Sequence, residues 1–138
     1  MSRQDAKSAK NEPGLDVDTL ARSVIGAAIE VHRHLGPGYL EGVYEEALAL
    51  EFDIQAISYQ RQYAMAVIYK GRQVGQGKVD FLVGGKLVVE LKAVEKLLPV
   101  HKAQVISYLK VSGCQLGLLI NFDERTLREG VQRVVLTD

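Results

Sequence analysis

Apolar and polar residues follow two different spacings along this chain. Apolar residues three or four positions apart predict helices, and short, nearly continuous apolar runs predict strands. The predicted helices span residues 16–35, 41–56 and 99–111, and the predicted strands span 62–69, 73–83, 87–94, 116–122 and 132–136. A helix between the strands 87–94 and 116–122 indicates that those strands pair in parallel. The order of the elements therefore predicts an α/β domain with a mixed central β-sheet flanked by helices.

Charged residues interrupt the two apolar runs on either side of Gly84-Gly85. Asp80 lies in the first run, and Glu90 and Lys92 lie two positions apart in the second. A charge in a buried strand is costly unless it is paired or bound to a metal ion. Two acids can hold a divalent cation that activates water and clamps a phosphate, and a lysine can stabilise developing negative charge. The hairpin therefore indicates a metal-dependent site for phosphodiester hydrolysis; the alternative interpretation is two strands with ordinary surface charges.

Such a site makes a demand on the hairpin loop. With a two-residue Gly84-Gly85 turn, Asp80 lies opposite Val89, so Asp80 and Glu90 point to opposite faces of the sheet. With a three-residue loop that also includes Lys86, Asp80 faces Glu90. The catalytic interpretation therefore predicts a loop with an odd number of residues, or a β-bulge near Asp80.

Composition and charge narrow the class of protein. The chain has 138 residues, of which 47% are hydrophobic and 25% charged, as in one globular domain. The 17 basic and 17 acidic residues cancel, which argues against a protein that coats DNA without specificity. No apolar run is long enough to cross a membrane and no signal peptide is evident, so we expect a cytoplasmic protein without a membrane partner. The single cysteine, Cys114, leaves no partner for an internal disulfide, and the polar residues 1–14 are predicted to form a disordered tail.

Two groups of motif residues resemble a known family. Asp80, the Glu90-x-Lys92 pair and the helix that follows resemble the core of the PD-(D/E)XK nuclease-like superfamily. The segment Gly38-Tyr39-Leu40-Glu41-Gly42-Val43-Tyr44 matches the motif that names the GxxExxY protein family within it. The resemblance covers about residues 17–122 and rests on the order and spacing of short motifs, with Val79 in place of the motif proline. It implies a single restriction-endonuclease-like domain over residues 15–138.

The resemblance implies a metal site on the hairpin. Asp80 and Glu90, with the backbone carbonyl of Leu91, would bind Mg²⁺ or Mn²⁺. Lys92 would position the attacking water or stabilise the pentacovalent state.

It also implies roles for residues on two helices. Glu41 would point over the edge of the sheet to a second metal ion or to a water on the metal, although an acid near a helix N-terminus is favoured by the helix dipole in any case. Glu51 is the competing acid of the same helix. Gln104 would orient Lys92 or the phosphate.

A group of basic and aromatic side chains around the site is predicted to contact nucleic acid, and it comprises Lys92, Lys96, His101, Lys102 and Tyr108. The alternative for the basic residues is an ordinary solvated helix face, and the alternative for Tyr108 is packing at the edge of the core. The expected partner is nucleic acid, DNA rather than RNA.

Two functions are consistent with these features. The first is a metal-dependent endo- or exonuclease that hydrolyses phosphodiester bonds. The second is a noncatalytic domain of the same fold that binds nucleic acid or a protein, which the zero net charge and small size favour. An exposed edge strand could support a homodimer in either case.

Overall fold

The computed structural model describes residues 13–136, with side chains from Asp16 onward. Residues 1–12 of the predicted N-terminal tail lie outside the described residues, and α1 begins at Pro13. The elements in chain order are α1 (Pro13–Leu35), α2 (Glu41–Ile54), β1 (Tyr59–Tyr69), β2 (Arg72–Val83), β3 (Leu87–Lys92), α3 (Pro99–Ser112), β4 (Leu116–Asn121), a short 3₁₀ helix (Leu127–Gly130) and β5 (Val131–Val135).

The five strands form one sheet in the order β1-β2-β3-β4-β5. Only β3 and β4 pair in parallel, and the other neighbours are antiparallel, because α3 provides the one crossover between adjacent strands. The predicted mixed sheet and the parallel pairing are therefore confirmed. The predicted end of β3 at Val94 is wrong: the strand ends at Lys92, since the Asn121 side chain bonds both the amide and the carbonyl of Val94.

The sheet separates two hydrophobic cores. Alternate residues of β2, β3 and β4 pack against α1 and α2 on one face, which we call the α1–α2 core. The remaining inward residues pack against Val105 and Leu109 of α3 on the other face, which we call the α3 core. Coverage on both faces explains why β3 and β4 are almost continuously apolar.

The loop between β2 and β3 contains three residues, Gly84, Gly85 and Lys86. Val83 pairs with Leu87, and the register continues through Phe81–Val89. Both glycines have positive φ angles, +60° and +69°, which suit residues without a side chain. The odd-length loop that the catalytic interpretation predicts is therefore confirmed, and it places Asp80 and Glu90 on the same face.

The β1–β2 hairpin twists sharply where it passes Asp80. Phe81 packs in the α1–α2 core, whereas Val79 packs in the α3 core, although residues two apart in a strand normally share a face. Gln62, opposite Asp80 in the register, has a φ of +49°. This left-handed residue interrupts the regular strand, so the outer part of the hairpin turns relative to the sheet.

Tyr44 fixes the connection between α1 and α2. Its ring is fully buried and stacks on Phe122 with the ring centroids 4.6 Å apart. Its hydroxyl donates to the Gly36 carbonyl at 2.6 Å and accepts from the Tyr39 amide at 3.1 Å. One side chain therefore ties the loop at Gly36–Tyr39 to the end of β4.

We expect Tyr44→Phe to lower the free energy of unfolding by about 1–2 kcal/mol, because it removes the hydrogen-bond partner of the partly buried Tyr39 amide and Gly36 carbonyl. Urea unfolding followed by circular dichroism measures the change. Tyr69→Phe is the matched control, since Tyr69 is 61% exposed. Equal unfolding midpoints for the two variants would contradict this account of the loop.

Candidate active site

Asp80 and Glu90 lie at the centre of the site. There the hydrogen bonds between β2 and β3 change from backbone–backbone to backbone–carboxylate. The Asp80 amide donates to Glu90 Oε1 at 3.2 Å, and the Leu91 amide donates to Asp80 Oδ2 at 2.8 Å. Each carboxylate thus accepts an amide of the neighbouring strand, directly beyond the last backbone pair, Phe81–Val89. The two acids are only 7% and 5% exposed. Their positions are therefore fixed by the backbone of the sheet itself.

Lys92 completes the group on the same face of β3. Its Nζ lies 3.6 Å from Glu90 Oε2, and its side chain is 17% exposed. Its carbonyl accepts a hydrogen bond from the Phe122 amide at 2.9 Å, which anchors the end of β3 to β4. The structure thus brings together the three charged residues that the sequence singles out on this hairpin.

Glu41 joins this group from α2. It is the first residue of that helix and is partly buried. Burial raises the pKa of Glu41, the charge of Asp80 raises it further, and the charge of Lys92 lowers it, so Glu41 lies within electrostatic range of both. Glu51 instead accepts a hydrogen bond from Gln55 on its own helix. Of the two acids proposed for this position, the structure places Glu41 beside the site.

Sequence reasoning missed two residues that also reach the site. Gln62 Nε2 donates to Asp80 Oδ1 at 3.1 Å and to Glu45 Oε1 at 2.9 Å, so it bridges β2 and α2. Glu45 also accepts from Arg61 at 2.9 Å. The available signals were that Glu45 lies one helical turn after Glu41 and that Gln62 lies opposite Asp80 once the β1–β2 register is fixed.

The electrostatics of the site reflect crowded negative charge. Burial, followed by repulsion from Asp80, raises the pKa of Glu90 to about 7. Burial also raises the pKa of Asp80, while the Leu91 amide opposes this shift. A site in which Glu41, Asp80 and Glu90 are held close together beside Lys92 favours a cation or a bound proton.

Residues of α3 border the site on its other side. Tyr108 packs against the α3 core, and its pKa is raised by burial and by the charges of Glu90 and Asp80. A hydrogen bond with Gln104 opposes this rise in the pKa of Tyr108. Gln104 and Lys92 line one groove of about 560 Å³. Gln104 and Tyr108 thus both lie close to the hairpin acids.

The other predicted nucleic-acid contacts are arranged differently. His101 lines the same groove, and its Nδ1 accepts the Leu98 amide at 3.0 Å, which caps α3. Lys96 and Lys102 are exposed, and neither forms an ion pair within the described part of the chain.

The donor set suits a hydrated divalent cation. Among residues 13–136, no three His, Cys, Asp or Glu side chains form a group that could hold a metal ion by themselves. Mg²⁺, however, is usually bound by one or two carboxylates together with waters and substrate phosphates. Asp80 and Glu90, on facing positions of two strands, provide such a pair of carboxylates.

Comparison with known proteins identifies the family of this chain. The family model described as the PD-(D/E)XK nuclease superfamily matches residues 18–134. This chain belongs to the PD-(D/E)XK nuclease superfamily. Among solved structures, the crystal structure of SSO0001 is similar, with a TM-score of 0.46 and 16% sequence identity over 86% of this chain and 78% of that chain. No curated protein matches this chain.

Membership of the PD-(D/E)XK superfamily confirms two of the predictions. The restriction-endonuclease-like α/β fold is confirmed by the family match and by the mixed five-stranded sheet. The superfamily part of the resemblance is confirmed as well. Within the described residues, no helix is both long and apolar enough to span a membrane.

The raised pKa of Glu90 predicts a specific dependence of stability on pH. Between pH 4.5, the ordinary value for this group, and about pH 7, the unfolded chain releases this proton while the folded protein retains it. The free energy of unfolding therefore falls as pH rises through this window. We expect Glu90→Gln to be more stable than wild type at pH 8, by up to about 3 kcal/mol, and equally stable near pH 4.5. Thermal unfolding at both pH values measures this.

Glu46→Gln is the control for this measurement. Its hydrogen bond to Arg61 holds the pKa of the exposed Glu46 below its ordinary value, so its charge favours folding at pH 8. The control should therefore gain no stability there. A Glu90→Gln protein that is less stable than wild type at pH 8 would show that Glu90 is not destabilised by its surroundings.

Proposed function

We propose that this protein is a divalent-metal-dependent nuclease that hydrolyses phosphodiester bonds in nucleic acid, DNA rather than RNA. The observation that carries the proposal is the convergence of Asp80, Glu90 and Lys92 on one face of the β2–β3 hairpin of a PD-(D/E)XK domain. The proposed cation is Mg²⁺ or Mn²⁺. A cytoplasmic location and a homodimer stay predictions.

Each residue has a role that its surroundings support. Asp80, Glu90 and the carbonyl of Leu91 would hold the cation. When bound, such a cation lowers the pKa of water and neutralises charge on the phosphate. Lys92 would orient the attacking water or stabilise the extra negative charge on phosphorus, because its ammonium group lies 3.6 Å from Glu90 Oε2.

Two helix residues would complete the site. Glu41 would hold a second cation or orient a water, since it is partly buried at the start of α2 within electrostatic range of Asp80. Gln104 would orient Lys92 or a phosphate oxygen, since both side chains line one groove. The exposed Lys96 and Lys102, with His101, would contact the nucleic-acid backbone at the same end of α3.

We further propose that the chain is a member of the GxxExxY family. The three residues that name the motif have separate physical tasks in this structure. Gly38 has a φ of +114°, which only glycine adopts readily. Glu41 starts α2 beside the site, and Tyr44 fastens the preceding loop.

We expect Asp80→Ala, Glu90→Ala and Lys92→Ala each to reduce Mg²⁺-dependent cleavage by roughly 100-fold or more, because each removes a charge that acts on the reacting phosphate. Cleavage of single- and double-stranded DNA and RNA, in Mg²⁺ or Mn²⁺, measures this. Lys86→Ala is the matched control, since Lys86 lies exposed on the same hairpin and pairs with Asp16.

Persistent cleavage by all three variants would contradict the proposed site. Absence of cleavage by wild type would be followed by calorimetric titration with Mn²⁺. Metal binding that is lost in Glu90→Ala supports the site without its substrate. No binding in either protein supports the noncatalytic alternative, which the small size of the chain favours because it leaves few additional elements to hold nucleic acid.

We expect Glu41→Gln to reduce cleavage by about 10-fold or more and Glu51→Gln to leave it unchanged, because Glu41 lies within electrostatic range of Asp80 whereas Glu51 lies about 15 Å further along α2. The measurement is the initial cleavage rate as a function of metal concentration. A larger effect of Glu51→Gln than of Glu41→Gln would contradict the placement of the helix acid.

A further inference from the structure

The outer part of the β1–β2 hairpin projects from the domain as a two-stranded ribbon. None of residues 66–76 belongs to either core, and all are exposed except the half-buried Val67. We call residues 64–78 the ribbon. Its two strands stay paired up to Tyr69–Arg72, with one irregularity between Val67 and Ile68. Because residues 66–76 join neither core within the described part of the chain, this part of the ribbon depends mainly on its own strand pairing, so its shape and composition call for another explanation.

The charge of this part of the chain is entirely positive. Between Asp53 and Asp80 the sequence contains four basic residues and no acidic residue, although basic and acidic residues balance at 17 each in the whole chain. One of the four, Arg61, lies at the base and pairs with acids of α2. The other three, Lys70, Arg72 and Lys78, are exposed and form no ion pair within the described part of the chain.

The tip of the ribbon is apolar. Ile68, Tyr69 and Val74 are 58%, 61% and 63% exposed, and the Lys70 ammonium group lies 5.4 Å from the centre of the Tyr69 ring. Exposed apolar side chains next to exposed cations suit a polyanion with stacked, apolar bases, because cations contact the phosphates while the ring and aliphatic groups contact bases or sugars.

The ribbon is directly continuous with the candidate site. Its strand β2 leads without a break from Arg72 at the tip to Asp80 in the site, and its strand β1 leads to Gln62. At about 3.3 Å per residue, the tip lies about 25 Å from Asp80, which corresponds to seven or eight base pairs of DNA. The major groove of B-DNA is wide enough for a two-stranded β-ribbon, whereas that of duplex RNA is too narrow and deep for side chains to read.

We propose that the ribbon is a binding arm for duplex DNA: Lys70, Arg72 and Lys78 contact phosphates, and Ile68 and Tyr69 contact the groove, about seven or eight base pairs from the phosphate at Asp80. This inference deepens the proposed nuclease function by naming double-stranded DNA as the substrate class. It depends on that function only for the position of the reacting phosphate, because binding by the arm requires no catalysis.

The test measures binding without cleavage. Fluorescence anisotropy in EDTA compares wild type with a charge variant of the ribbon, Lys70→Gln/Arg72→Gln/Lys78→Gln, on a labelled duplex of roughly 30 base pairs, which exceeds the reach of the arm. We expect affinity to fall at least about 10-fold and the slope of log affinity against log salt to decrease by about 3, one unit for each lost phosphate contact. A tip variant, Ile68→Ser/Tyr69→Ser, should weaken binding roughly fivefold with an unchanged salt slope.

A control variant removes the same charge elsewhere. Arg22→Gln/Lys86→Gln/Arg133→Gln changes three exposed cations, of which Lys86 and Arg133 pair with Asp16 and Asp18 of α1, at the other end of β2 from the tip. We expect its affinity to stay within about twofold of wild type, because its charges lie away from the arm. Circular dichroism and unfolding midpoints establish that all variants are folded; a ribbon triple variant that does not fold is replaced by the three single substitutions, each with an expected slope change of about 1.

Three results would overturn the proposal: no binding of duplex DNA by wild type, equal losses in the ribbon and control variants, or equally tight, ribbon-dependent binding of duplex RNA. An acidic protein would be the better partner in the first case. Ribbon-dependent binding without any cleavage would support the arm and count against the nuclease. Cleavage that depends on Glu90 and Lys92 but not on the ribbon would support the nuclease and reject the arm.

Discussion

Two carboxylates buried side by side within a sheet are the constraint on which the rest of this structure depends. Removing one charge from water costs several kcal/mol after relaxation. Asp80 and Glu90 recover part of this cost because each accepts an amide of the opposite strand, and such charge-assisted hydrogen bonds contribute about 1.5–3 kcal/mol each. Beyond Phe81–Val89, the carboxylates of Asp80 and Glu90 therefore take the place of backbone carbonyls as acceptors between β2 and β3. This arrangement works only in the register that the three-residue loop sets.

The same constraint explains why elements far apart in sequence are tied to one another near the site. A buried acid pair requires partners that cannot drift. Glu41 is held by the start of α2, and Tyr44, one turn later, fastens the loop before it to Phe122 at the end of β4. The end of β4 in turn holds Lys92 through the Phe122 amide. Gly38, Glu41 and Tyr44 thus act on one small region, which accounts for their spacing in this chain in physical terms.

The sequence predicted the parts of this site that obey local rules. Strand periodicity and loop length decide which residues share a face, so the choice between a two-residue and a three-residue loop was sufficient to predict that Asp80 faces Glu90. The contributions of Gln62 and Glu45 could not be predicted in this way. They depend on a left-handed residue in β1 and on the packing of α2 across the sheet edge, and neither leaves a periodic signal. The end of β3 was missed because a side chain, Asn121, replaces strand pairing there.

The zero net charge of this chain is a poor guide to its partners because the charges are segregated. Acids gather at the site, where burial and the charge of Asp80 raise the pKa values of both Glu41 and Glu90. Cations occupy the strands that lead away from it. At physiological ionic strength a charge is screened within about 8–10 Å, so a ligand responds to the nearest charges and not to their total. The sharp twist at Gln62 separates these two regions in space, so one hairpin can present acids at its base and cations along its arm. A polyanion that follows the arm would then meet the acids only at the point where a cation is needed to neutralise them.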